Sequence, residues 1–136
     1  MRVVLVLLML LGVSPAWAQA PGEAAAIESV IGDQIEAFRR DDGVRAFGLA
    51  SPMIQGMFQT PETFMAMVAH GYPPVFRPRE VRYGALVTVD GVLTQQVHLI
   101  GPDGRAYLAL YAMEKQADGS WKINGCELTE DESVGA

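Results

Sequence analysis

"EVRYGALVTVDGVLTQQVHLI", residues 80–100, is the stretch whose reading decides the fold. Asp90-Gly91 divides it into two runs rich in β-branched and aliphatic residues. An Asp-Gly pair is a strong two-residue hairpin signal, because both turn positions need positive φ and these residues tolerate it. The pattern continues downstream. "GPDG" at 101–104 gives a second turn into "RAYLALYAMEK", and "QADGS" at 116–120 turns the chain into "WKINGCELT". Four strands joined in this way predict an antiparallel meander. They are longer than the usual ~5–6 residues, so the sheet must twist and coil.

Upstream, the period changes from two to that of a helix. Ile27, Val30, Ile31, Ile35 and Phe38 recur at spacings of three and four, while Glu28, Asp33, Glu36 and Arg39 fall largely on the other face. "DDG" at 41–43 interrupts this pattern, and Asp41 or Asp42 can cap a second short helix containing Val44, Phe47 and Leu49. "SP" at 51–52 and "TP" at 60–61 are both helix starts: the hydroxyl accepts from free amides, and proline takes a position that needs no donor. The second opens "TPETFMAMVAHG", packed through Phe64, Met67 and Val68 and ended by Gly71. "YPPVFRPRE", residues 72–80, has three prolines and is expected to be extended, a connector between halves. Helices first and a meander second predict α+β, with N-terminal helices packed on one face of a curved four-stranded sheet.

Met1 and Arg2 precede the apolar run "VVLVLLMLLGV", which is too short for the ~20 residues a spanning helix needs. With "SPAWA" behind it, the run matches an export signal over residues 1–18, cut after Ala18 or alternatively after Ala20. The expected address is therefore the periplasm or the exterior, with no membrane attachment after cleavage. Residues 19–26 are then a lead-in, 27–129 a single domain, and 130–136 an acidic, disordered tail. The formal net charge of −6 becomes more negative once Arg2 is lost, so the mean field repels nucleic acid and anionic headgroups. One cysteine, Cys126, means no internal disulfide.

The stretches "IGDQIEAFRRDDGVRAFGLASPMI", "FMAMVAHGYPPVFRP", "TQQVHLIGPDGRAYLALYAME" and "DGSWKINGCEL", in that order, resemble a bacterial family called domain of unknown function 4864. The resemblance covers roughly residues 27–128. It implies the cone-shaped nuclear transport factor 2-like (cystatin-like) superfamily and an exported address, but no activity that could be carried over residue by residue.

In such a cone the sheet and helices can enclose a pocket, the default ligand site. Alternation divides the third strand into Tyr107, Ala109, Tyr111 and Met113 against Leu108, Leu110, Ala112 and Glu114. If the aliphatic set faces the helices, the tyrosines lie outside and offer an interaction surface, for instance for a sheet-mediated homodimer. If the mixed set lines the pocket, Gln96, His98 and Tyr111 become its polar fittings. Tyr72, beside Pro73 and Pro74, can form an aromatic lip, although such clusters more often stiffen a loop. Met53, Met57, Met65 and Met67 read as gap-filling core or as an adaptable apolar pocket.

Catalysis of the isomerase or dehydratase kind needs a carboxylate or imidazole inside the cone. The sheet's acids all fall at turns or strand ends, leaving Asp42, Tyr111 and His98 as the candidates for a cofactor-free enzyme. A histidine at the position of His98 is more often a surface or hydrogen-bonded core residue, and His70 near a helix end suits the helix dipole. Neither has metal-ligand spacing, so neither a metal nor a cofactor is expected. Arg77, Arg79 and Arg82 can bind a carboxylate or guard a sheet edge. Cys126 has no basic neighbour to activate it and follows Gly125, where a bulge would return it to the face of Trp121. The residues favour a non-catalytic domain that binds a small apolar ligand or a protein partner.

Overall fold

Asp90 and Gly91 both adopt positive φ, 49° and 79°. The turn they make joins β1 (Glu80–Val89) to β2 (Val92–Ile100). β3 (Ala106–Lys115) and β4 (Trp121–Glu130) complete one antiparallel sheet in the order β1-β2-β3-β4. The structure, a computed structural model, describes residues 21–134; the export signal expected over residues 1–18 lies outside them. The expected α+β architecture is present, with helices first and the meander second.

The helical layer is α1 (Pro21–Arg39), α2 (Gly43–Gly48), α3 (Pro52–Phe58), α4 (Pro61–Gly71) and α5 (Pro73–Phe76). Three of these start on a side-chain cap: Asp42 accepts from Arg45 N, Ser51 from Ile54 N and Thr60 from Thr63 N. Each cap satisfies an amide that the helix cannot. The stretch 73–76 is helical, not extended as its prolines suggested. Two prolines at the first positions of a helix remove donors that have no partner anyway, so they start this turn rather than break it. The lead-in expected over 19–26 is also helical from Pro21 onward.

Ile27, Ile31, Ile35 and Phe38 of α1 are buried against the sheet, as their spacing predicts. Phe64 of α4 meets Phe38, Phe47 and Phe58 with ring centroids 5.5–6.0 Å apart, tying three helical elements and the α3 end into one aromatic cluster. Such tilted pairs contribute ~0.5–1.5 kcal/mol each beyond area burial. Met53 and Met57, by contrast, are exposed, while Met65 and Met67 pack against the core.

Register fixes which sheet face the helices cover. Gln95 pairs with Tyr111, Val97 with Ala109 and Leu99 with Tyr107, and these six residues share the inner face. Tyr111 is 1% exposed. Of the two alternatives the sequence left open, the tyrosines face the helices, so the outer face of the sheet is not the tyrosine-bearing one. The inner set includes a buried polar residue, Gln95, among apolar and aromatic ones.

Two bulges shape the sheet. The β1–β2 register shifts between Tyr83 and Leu86, and the β3–β4 register between Ala112 and Met113. In the second, Met113 pairs with Ile123 while Ala112 pairs with Gly125, so Asn124 is the extra residue. Cys126 and Leu128 thereby return to the inner face with Trp121 and Ile123. The acidic end is ordered further than its composition suggested. Glu130 closes β4, Asp131 N donates to Ala106 O at 2.9 Å, and Glu132–Val134 form a 3-10 turn.

Candidate functional site

Ser51 joins the helical layer to the sheet at the β4 bulge. Its backbone N donates to Ile123 O at 2.8 Å, and its Oγ donates to Asn124 Oδ1 at 2.6 Å while accepting from Ile54 N. Ile123 N donates in return to Leu49 O at 3.0 Å. Anchoring the start of α3 to β4 in this way holds α3 away from the middle of the sheet. The space between is a cavity of about 260 Å³.

Its walls come from every layer. α3 supplies Ile54, Met57 and Phe58; α4 supplies Phe64, Met67 and Val68. The sheet floor is Tyr111, Ile123 and Cys126, and Tyr72 closes one side at the α4–α5 junction. Met57 is 61% exposed, which places the cavity's mouth at α3. Gln34 of α1, Tyr72, Tyr111 and Cys126 are the lining residues with polar or ionisable side chains. Gln34 is held by a 3.0 Å bond from Nε2 to Ala46 O.

Among the described lining residues there is no Asp, Glu, His, Lys or Arg. The ionisable side chains present are those of Tyr72, Tyr111 and Cys126, and burial holds the last two neutral. Burial pushes the Tyr111 phenol well above its usual value, with the Cys126 thiol and the Tyr83 phenol adding to the effect. Burial likewise pushes Cys126 up to about 12, although the Tyr111 hydroxyl opposes this in part. Neither is a nucleophile or base near neutral pH.

Of the residues singled out by sequence, Tyr72, Tyr111 and Cys126 come together in this cavity. Gln96 and His98 do not: they alternate with Gln95 and Val97 and lie on the outer face of β2. His98 is pinned there. Its Nδ1 lies 3.4 Å from Asp131 Oδ2, and its Nε2 lies over Gly84, where an added Cβ would stand only 2.9 Å away. Gly84 thus leaves the room that the imidazole occupies against β1. Asp42 is occupied in capping α2. Arg77 bonds the carbonyls of Phe38 and Phe76 as well as Asp41, and Arg79 bonds Pro102 O at 2.7 Å. These two arginines close loops rather than form a carboxylate site.

Sequence reasoning missed Gln34 and Gln95. Gln95 is fully buried, and its Nε2 donates to Gly84 O at 3.0 Å and Gln96 O at 2.9 Å, bracing the β1 bulge. Its Oε1 has no partner, and neither has the Tyr111 hydroxyl across the ladder. The signal was available in part: a glutamine in phase with Val97 and Leu99 is a polar group on an apolar face.

Fold and cavity define a class: an α+β domain with helices over an antiparallel meander and an apolar cavity between the layers. Residues 20–136 match the family described as Domain of unknown function (DUF4864), and the chain belongs to it. No curated protein and no solved structure matches the chain.

Proposed function

We propose that this domain binds a small apolar molecule in the cavity between α3, α4 and the sheet, without catalysing a reaction on it. The observation that carries this reading is the cavity itself. Its aromatic, methionine and aliphatic walls leave few polar atoms, the usual composition of a small-molecule site. Its volume, about 260 Å³, falls just below the ~300–1,000 Å³ usual for such sites, which points to a small ligand or to one whose tail emerges at Met57. A cofactor-free isomerase or dehydratase is disfavoured on the same ground. Proton transfer needs a base in reach, and the described lining offers no carboxylate or imidazole, while burial keeps the Tyr111 phenol and the Cys126 thiol protonated.

The same reading gives the chain the nuclear transport factor 2-like cone shape and an exported address, with the signal removed after Ala18. It acts as a carrier or sensor of its ligand, alone or presented to a protein partner. Native mass spectrometry of the protein purified from its host tests the reading. An adduct of small-molecule mass that is lost on denaturation is expected. An adduct-free spectrum, together with failure of small aromatic hydrocarbons to bind, contradicts it.

A further inference from the structure

Gln34 stands on the buried face of α1, one turn after Ile31 and one turn before Phe38, and is itself only 3% exposed. It also lines the cavity. An amide in such a place is costly to bury unless both of its ends are satisfied. One end is. Nε2 donates to Ala46 O at 3.0 Å, and this bond fixes the way the amide points, because a carbonyl oxygen can be met only by the nitrogen. The other end is open. Gln34 Oε1 accepts no hydrogen bond from a described residue, yet it is not sealed off as Gln95 Oε1 and the Tyr111 hydroxyl are. Gln34 is nearly closed to bulk solvent, so the surface that Oε1 keeps belongs to the cavity. Bracing α2 accounts for the nitrogen and leaves the oxygen without a role.

We propose that Gln34 Oε1 is the acceptor that selects one neutral hydrogen-bond donor on the ligand, so that the cavity takes a small hydroxyl-bearing aromatic molecule, in the simplest case a phenol. The inference rests on the binding reading above and narrows its ligand class. An amide oxygen offers lone pairs and no proton, so it favours a donor over a bare carbonyl or ether. Charge of either sign is disfavoured. The described lining holds no Lys, Arg or His to pair with an anion and no Asp or Glu to pair with an ammonium group. Phe38 and Phe58 each pack against Phe64 with tilted rings, and all three line the cavity, a wall suited to another aromatic ring. Size follows from volume. An apolar cavity of ~150 Å³ admits benzene, so the 260 Å³ here suits about ten non-hydrogen atoms.

The test compares three probes of similar size, p-cresol, p-xylene and benzylammonium, on the wild-type protein and on Gln34→Met. p-Xylene differs from p-cresol only by a methyl group in place of the hydroxyl, so the ratio of their affinities isolates the hydrogen bond. Isothermal titration measures the affinities, and circular dichroism shows whether the variant is folded. The cresol-to-xylene ratio is expected to fall about 5- to 10-fold on Gln34→Met, the value of one hydrogen bond. Benzylammonium should bind neither protein. Gln34→Met also removes the bond to Ala46, so a second measurement uses the wild type alone: the side-chain amide resonances of Gln34 should shift with p-cresol and stay in place with p-xylene. If p-xylene binds but the ratio is unchanged in the variant, or the Gln34 amide does not respond to p-cresol, the inference fails while the binding reading survives. Benzylammonium binding as tightly as p-cresol overturns the neutral-ligand claim. Failure of all three probes to bind the wild type overturns both.

Discussion

Tyr111 and Cys126 face each other across the β3–β4 ladder, and both line the same cavity. That pairing depends on the Asn124 bulge, since a regular strand would turn Cys126 to the outer face. The result is a deep wall with two ionisable groups and no charge.

The thiol should therefore be inert. With Cys126 held at about 12, its thiolate is scarce at neutral pH. Alkylation by iodoacetamide should run roughly 100- to 1,000-fold slower in the native protein than in denaturant, because the thiolate is the reacting species. Labelling at comparable rates in the two states would mean that the cavity wall opens readily.

The same groups set the alkaline limit of stability. The unfolded thiol ionises near 9.0 and the folded one near 12, so between these values the unfolded chain holds fewer protons than the native chain. Stability is then complete below pH 9 and falls as pH rises through that window, by up to ~1.4 kcal/mol per pH unit for this group. Tyr111, also shifted upward, extends the loss to higher pH. Urea midpoints measured from pH 7 to 11 should decline above 9 for the wild type and less steeply for Cys126→Ala.

Tyr111→Phe should stabilise the ligand-free protein. The substitution removes a buried hydroxyl without a partner and keeps the ring. A gain of ~1 kcal/mol, seen as a rise in Tm of about 3–6 °C, is expected by differential scanning calorimetry. A fall in Tm would show that the hydroxyl already has a partner in the free protein.

Gln95 should behave in the opposite way. Its amide nitrogen holds the carbonyls of Gly84 and Gln96, and a carboxylate there has nothing to donate. Gln95→Glu is expected to cost ~2–4 kcal/mol at pH 7 by urea unfolding, with part of the loss recovered as the carboxyl protonates at low pH. An unchanged midpoint would show that the bulge does not depend on this side chain.

Ser51 tests the link between helix and bulge. Ser51→Ala deletes both the α3 cap and the bond to Asn124. A loss of ~1–3 kcal/mol is expected, along with weaker probe binding, because α3 forms the cavity's mouth. Unaltered stability and binding would detach the cap from the site.

Much of the fold was legible in the sequence. Asp90-Gly91 set the hairpin, Ser51 and Thr60 with their following prolines marked two helix starts, and the isoleucines of α1 declared its buried face. These are local signals, each carried by a few adjacent residues. Pro73 and Pro74 misled because proline both breaks helices and starts them, and packing against β2 and α1 decides between the two. The site was half legible. Tyr72, Tyr111 and Cys126 do line one cavity, but assigning the inner face required the register of β2 against β3, a non-local property. Gln96 and His98 were displaced by that single step of alternation, and Gln95 took the buried position.

The most direct test of the binding cavity is a titration of the protein with propylbenzene followed by methyl nuclear magnetic resonance. Met67, Val68, Val75 and Ile123 surround the cavity, whereas Leu108 and Leu110 lie on the opposite sheet face. Saturable shifts confined to the first group, and abolished by Ile54→Trp at the mouth, are the predicted result. Shifts confined to Leu108 and Leu110, or none at all, would contradict a ligand site between the helices and the sheet.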